Sequence, residues 1–496
     1  MKRRWRTLFA VLTAALLASA GMARAADKDE PPIPPVNAIG ELPPVPPHQW
    51  SDLAVDLNDN RTAGNGLVSA PVLSKYLNQL YANIKTAAGV ADWPGAVYIS
   101  SDTTLNAHAS ASGNIYLHMG LIRSVESEDE IYGVMAHEFA HVYLNHQAAY
   151  EAHQVAANAA FGVKAALLGI FGKKLPGASA GWSAFDSVSL VDGVMHESLL
   201  PVWQREVEEQ ADMFAATLTL RERYSYPVGF KTFLERLAAV EQRQLDSQPF
   251  AAGAPASAPA VAATPEAQRK THASAREREE VLTAKMLPLM PRPRPAARKA
   301  SWQAVLKDKE TAEVLAHYAM LADIGKLQAA GRHADAVKLA EKAASGATAG
   351  DASMVMMLQD AMRQAGAGMD QQRAVLLRNR TWPERAWSAQ YQAAALVPPE
   401  QVGFAKEFLQ EQYAHFGEAP RTWPDMVGFY FRNGDSISQL AMLAKCTTDA
   451  RFRAACADRG KTDAQRQQDA AQQLARQQQQ QNNLEQKIKE KFKLKQ

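Results

Sequence analysis

The sequence predicts an α+β fold: a mainly helical N-terminal domain carrying a small β-sheet, followed by an all-α, repeat-like C-terminal domain. Three observations carry this prediction. Apolar residues recur at helical spacing over residues 71–87 and along two further segments that begin near Ser127 and Val202. Two short strand-like runs, Ala96–Ser100 and Ile115–His118, lie between the first and second of these segments and are separated by small and polar residues. From about Trp302 to Gly460 the pattern is helical throughout.

Taken in order, the chain opens with Lys2, Arg3, Arg4 and Arg6, then an apolar run from Leu8 to Ala20. Ala23-Arg24-Ala25 follows, with small residues at the two positions a signal peptidase reads. Residues 1–25 therefore read as a secretory signal peptide cleaved before Ala26, and the run is too short for a comfortable membrane span. The leader carries five Lys or Arg and no acidic residue in a chain of net charge +2, so the remainder is slightly acidic. That balance argues against nucleic-acid binding, which demands a basic face. Cys446 and Cys456 are the two cysteines, and in an oxidising compartment they could pair and close a short loop.

Residues 26–50 hold Pro31, Pro32, Pro34, Pro35, Pro43, Pro44, Pro46 and Pro47 and read as an extended tether. A first folded domain is expected over 51–298. Within it, Leu73, Tyr76, Leu77, Leu80 and Ile84 share one helical face. Ser127-Glu128-Asp129-Glu130 has the form of a capping box. The serine would accept from the N–H of Glu130, whose carboxylate would reach back. Residues 155–172 are apolar but interrupted by Asn158 and Lys164, which favours a buried or lid-like helix over a membrane dip. Residues 250–266 are almost all Ala, Pro, Gly, Ser, Thr and Val, a low-complexity insertion. The helical domain spans 299–460; within it Leu327–Ala344 resembles half of a tetratricopeptide-type hairpin, without a repeat at fixed period. The Gln- and Lys-rich tail, 461–496, reads as solvated, with Ile488, Phe492 and Leu494 as possible points of peripheral membrane contact.

The chemistry centres on His137-Glu138-Phe139-Ala140-His141. Residues four apart on an α-helix differ by about 40° around the axis, so both imidazoles leave one face. Two neutral ring nitrogens at that spacing can reach one zinc ion at about 2 Å. Glu138 is rotated about 100° from His137. It is poorly placed as a ligand and well placed to accept a proton from water whose pKa the metal has lowered. A third protein ligand must come from elsewhere. Gln147 stands where a histidine six residues after His141 would complete a metzincin site. His146, on a continuing helix, would lie about 180° from His137, which gives it a structural or exposed place. Glu206-Val207-Glu208-Glu209-Gln210-Ala211-Asp212 is the acidic cluster on the second long helix, and Glu208 and Asp212 share a face. If Glu208 binds zinc, Asp212 can accept the second ring N–H of a ligand histidine and fix its tautomer.

The paired motifs resemble those of the gluzincin peptidases of the HtpX and BepA type, which combine HExxH with a downstream ExxAD. Glu208-Glu209-Gln210-Ala211-Asp212 fits the second motif and selects Glu208 over Glu206 and Glu209. Asn106-Ala107-His108-Ala109, the stretch Gly113–Leu121, the segment Tyr224–Phe230 and Thr271-His272 followed by Arg276 are similar to further parts of that family, so the resemblance covers roughly residues 67–285. It implies a zincin-like metallopeptidase domain with one zinc per chain held by His137, His141 and Glu208, with Glu138 and Asp212 in the catalytic machinery. It implies that Asn106 and Ala107 hold an extended substrate main chain at an edge strand, and that His272 can act as an inhibitory extra metal ligand. Ala273 stands where the family has proline. The family's work implies a periplasmic endopeptidase in quality control of envelope proteins. Its substrates would be misfolded or misassembled outer-membrane proteins, and the helical domain would meet the outer-membrane assembly machinery.

Overall fold

The computed structural model describes residues 39–147, 200–246 and 274–462, with scattered positions between 464 and 479. Residues 1–25, expected to be a signal peptide, the segment 155–172, the low-complexity stretch 250–266, His272 and the end of the tail lie outside the described residues. In chain order the elements are α1 (Leu53–Arg61), α2 (Pro71–Ala87), β1 (Val97–Ser100), β2 (Ala107–Ala109), β3 (Ile115–His118), α3 (Met119–Ser124), α4 (Glu128–Tyr143), α5 (Leu200–Arg221), α6 (Phe230–Asp246), α7 (Ala275–Met286), α8 (Lys299–Leu306), α9 (Lys309–Ala329), α10 (His333–Ala343), α11 (Ala352–Gln364), α12 (Met369–Leu376), α13 (Trp387–Ala395), α14 (Val402–His415), α15 (Trp423–Arg432), α16 (Ser436–Thr447) and α17 (Ala450–Arg459). This is the α+β arrangement expected from the sequence. Two compact units divide it: residues up to 53 with 70–315, and 54–69 with everything described from 316 onward.

In the first unit, α2 starts with Pro71 in its first turn, where a missing N–H costs no hydrogen bond. Its buried face is Leu73, Leu77, Leu80, Tyr81 and Ile84. The sheet order is β1-β3-β2, with β1 parallel and β2 antiparallel to β3. The central strand β3 is buried at all four positions. His118 N–H donates to Asn106 O (3.1 Å) and Ser110 N–H to Asn114 O (2.9 Å), so Asn106 and Ser110 face β3 and the intervening Ala107 and Ala109 turn their backbone groups outward.

Helix α4 runs through the middle of this unit. Ser127 caps it, accepting from Glu130 N–H at 3.2 Å. The Glu130 carboxylate reaches one residue further back than a capping box requires, to the N–H of Glu126 (3.0 Å), and also meets Arg236 (2.9 Å). Asp129 ties two distant segments to the same helix end, accepting from the N–H groups of Ser225 (2.7 Å) and Arg298 (2.6 Å). Along its length α4 packs against α5 and α6. Gly133 allows the approach: a Cβ there would lie 2.6 Å from Phe230 Cβ.

Between α9 and α10 the chain turns at Gly331, whose φ is +71°. The core of the second unit gathers Trp387, Phe408, Leu409, Phe416, Met426, Val427 and Phe429. A disulfide joins the buried Cys446 of α16 to Cys456 of α17. Residues 54–69, assigned by sequence to the first domain, pack instead with this unit. Arg61 pairs with Glu384 (3.0 Å), Arg421 with Asp59 (2.8 Å), and a Cβ on Gly66 would lie 2.8 Å from Ala386 Cβ. Helix α1 buries no residue fully, so no apolar stripe in the sequence could report its true partner. Among the described residues no helix is long and apolar enough to cross a membrane.

Candidate metal centre

Two helices supply the site. His137 and His141 leave one face of α4, and Glu208 faces them from α5. The Nε2 atoms of the histidines are 3.2 Å apart. Glu208 Oε2 lies 3.5 Å from His137 Nε2, and its Oε1 lies 3.7 Å from His141 Nε2. Ligand atoms about 2.1 Å from a tetrahedral zinc are roughly 3.4 Å from one another, so the three edges match what one such ion requires. Among the described residues this is the one group of three or more His, Cys, Asp or Glu whose ligand atoms converge, all within 4.8 Å. Two imidazoles and a carboxylate form a donor set suited to zinc.

Behind these groups lies a buried ionic lattice. Asp212 Oδ1 is 2.9 Å from His137 Nδ1, close but not aligned as a full hydrogen bond. Arg278, on α7, donates from Nε to Asp212 Oδ2 (2.9 Å) and from Nη2 to Oδ1 (2.7 Å). Its Nη1 is 3.0 Å from Glu208 Oε2. Burial opposes charge on Asp212 and Glu208, but Arg278, with His137, outweighs it and holds both carboxyls below their ordinary range. Burial also works against a charged His137, and Asp212 and Glu208 overcome that and raise its pKa. Burial dominates at His141 and lowers its pKa, which favours the neutral ring a metal needs.

Glu138 is half-buried beside the ligand set. Burial, the largest influence, pushes its carboxyl up to about 7; His137 and Arg278 oppose the rise and Glu208 adds to it. The backbone N–H of Ala109, on the edge strand β2, hydrogen-bonds to this carboxylate. Asn106 Oδ1 accepts from the N–H of Ala107 (2.9 Å), and Gln147 Nε2 donates to the carbonyl of Ala109. The outward backbone groups of β2 thus lie next to Glu138.

One residue departs from its helical projection, and one arginine of the site goes unmarked in the sequence. His146 is buried, the structural of the two places expected, but it is not turned away from the site: α4 ends at Tyr143, Asn145 takes a left-handed φ of +56°, and the chain folds His146 back onto His141. The helical projection fails because the helix stops before the residue it was projected to. Arg276 pairs with Glu280 (3.2 Å) on an exposed surface, and Arg278, one half-turn further on, is the arginine that enters the site. Nothing local marks Arg278, since its partners are 66 and 70 positions away.

The fold and this centre together have the form of a metallopeptidase-like domain. Residues 71–285 match the model of Peptidase family M48. Among individual proteins, the chain is 26% identical over 184 residues to the beta-barrel assembly-enhancing protease of Escherichia coli (strain K12), covering 37% of this chain and 36% of that protein. It is 34% identical over 82 residues to the beta-barrel assembly-enhancing protease of Yersinia pestis, covering 16% and 17%. It is 25% identical over 182 residues to the mitochondrial metalloendopeptidase OMA1 of Schizosaccharomyces pombe, covering 37% and 49%. The chain thus spans about a third of the length of the first of these relatives.

Proposed function

We propose that this chain is an M48-type zinc endopeptidase that hydrolyses peptide bonds in envelope protein quality control in the periplasm. The observation that carries the reading is the convergence of His137, His141 and Glu208 with the Glu138 carboxylate beside them and an edge strand alongside. Zinc at that position would polarise the scissile carbonyl and acidify water. Glu138 takes the proton from the attacking water and returns it to the leaving amine. Asp212 orients His137, and Arg278 holds Asp212 and Glu208 in place. Ala107 and the groups flanking it, with Asn106, bind the substrate main chain as an added strand.

Three features support the envelope setting: the signal-like leader, the Cys446–Cys456 disulfide, a bond that persists in oxidising compartments, and the relatives named for β-barrel assembly. The substrates are misfolded or misassembled envelope proteins, with the helical unit as the contact for assembly machinery. Purified protein is expected to carry one zinc per chain. Chelation should abolish cleavage of an unfolded protein substrate, and added zinc should restore it. Protein prepared without chelators that holds no zinc would rule the reading out.

A latent state belongs to the same proposal. His272 stands six residues before Arg278, which touches Glu208. As a fourth protein ligand it would close the site to water. His272→Ala should then raise the cleavage rate and change the zinc environment seen by X-ray absorption. Neither change occurring would remove His272 from this role.

A further inference from the structure

This inference rests on the metallopeptidase reading and adds a residue to it. The two histidine ligands are braced differently. His137 has a carboxylate, Asp212, at its Nδ1 (2.9 Å). His141 has instead another imidazole: its Nδ1 is 3.0 Å from Nδ1 of His146. The second nitrogen of His146, Nε2, lies 3.2 Å from Oε1 of Gln210. His146 is only 3% exposed, so bulk water has little access to take the place of either partner.

The protons in this chain of contacts have one consistent arrangement. Two ring nitrogens 3.0 Å apart can share a single proton. A ring that gives Nε2 to a metal keeps its proton on Nδ1, so His141 is the donor and His146 Nδ1 the acceptor. His146 must then carry its own proton on Nε2, where the amide oxygen of Gln210 is the acceptor. Gln210 is two residues beyond Glu208 on the same helix. The relay therefore ties a ligand on α4 to the helix that supplies the third ligand. The turn that makes it possible is held from outside the helix, since Asn145 donates its side-chain N–H to the carbonyl of Pro47 at 2.9 Å.

We propose that His146 is a positioning residue for the metal centre: backed by Gln210, it accepts the Nδ1 proton of His141 and so fixes the tautomer and orientation in which His141 binds zinc.

The test is the zinc dissociation constant, measured by competition with a chromophoric chelator on the full chain, with the melting temperature of the metal-free protein as a check on folding. His146→Leu removes the acceptor and is expected to weaken zinc binding about 10- to 100-fold. His146→Asn places an amide oxygen near the position of Nδ1 and is expected to recover most of the loss. Gln210→Leu leaves both rings and removes only the outer acceptor, with a smaller loss expected. A His146→Leu protein that binds zinc like wild type overturns the proposal. Equal weakening by the Leu and Asn variants also overturns it, because packing would then be the cause. If His146→Leu does not fold, the other two variants decide: unchanged binding in Gln210→Leu overturns the relay, and weakened binding beside a near-normal His146→Asn supports it. Wild-type protein that takes up no zinc overturns both this proposal and the reading beneath it, whereas normal zinc uptake by wild type and His146→Leu alike removes only the role of His146.

Discussion

Glu138→Gln is expected to leave zinc bound and to reduce peptide-bond cleavage by about 10²- to 10⁴-fold, the contribution typical of a positioned general base. The expectation follows from the division of labour on α4. The convergent donor atoms belong to His137, His141 and Glu208, and Glu138 is not among them. Its carboxylate sits beside that set and meets the edge strand through the N–H of Ala109. An amide of the same size keeps the packing and can still accept from Ala109, but it cannot take a proton from water at neutral pH. Zinc content by mass spectrometry and turnover of an unfolded protein substrate separate the two roles. Equal turnover by variant and wild type would remove Glu138 from the chemistry. Loss of zinc along with activity would place it in metal retention instead.

Arg278→Ala should produce the largest loss of stability in the first unit, about 3–5 kcal/mol, as expected when one partner of a buried ion pair is removed. Arg278 is the cation facing both Asp212 (2.7 Å) and Glu208 (3.0 Å). Without it, the buried Asp212 and the partly buried Glu208 keep their charges with no guanidinium opposite them. Arg278→Lys should recover only part of the loss, because an ammonium cannot bond both Asp212 oxygens in the planar fork of a guanidinium. The pH dependence should distinguish this from simple loss of packing. In wild type both carboxyls are held below their ordinary range. Their stabilising contribution is therefore present above that range and is lost as pH falls through the lowered values. In Arg278→Ala burial is opposed by His137 and no longer by the guanidinium, so the carboxyls should protonate at higher pH than in wild type and the stability deficit should narrow as pH falls toward the carboxylate range. Urea unfolding of the metal-free protein at pH 7 and pH 5 would show this; a variant whose deficit is the same at both values would point to lost packing instead.

Several of these features are legible in the residues alone because their causes are local. The bounds of α2 follow from one apolar face and a proline at its start. HExxH places two imidazoles on one face of any helix it forms. Other features are not legible for the opposite reason. Strand β2 is three residues, Ala107–Ala109, and is too short for alternation to show; pairing with β3 makes it a strand. Residues 54–69 are held by Glu384, Arg421 and Ala386, all more than 300 positions away.

By itself the sequence determined the α+β class, the helices that carry the chemistry, and the candidate ligands His137 and His141, with Glu208 singled out by family resemblance, because helical spacing and motif chemistry act over a few residues. The tertiary structure alone decided that Glu208 meets the histidines across two helices, that Arg278 braces Glu208 and Asp212, and that a left-handed turn at Asn145 returns His146 to His141. Each of those depends on where a helix ends or on which distant side chain fills a buried charge's need for a partner. Local pattern carries no record of either.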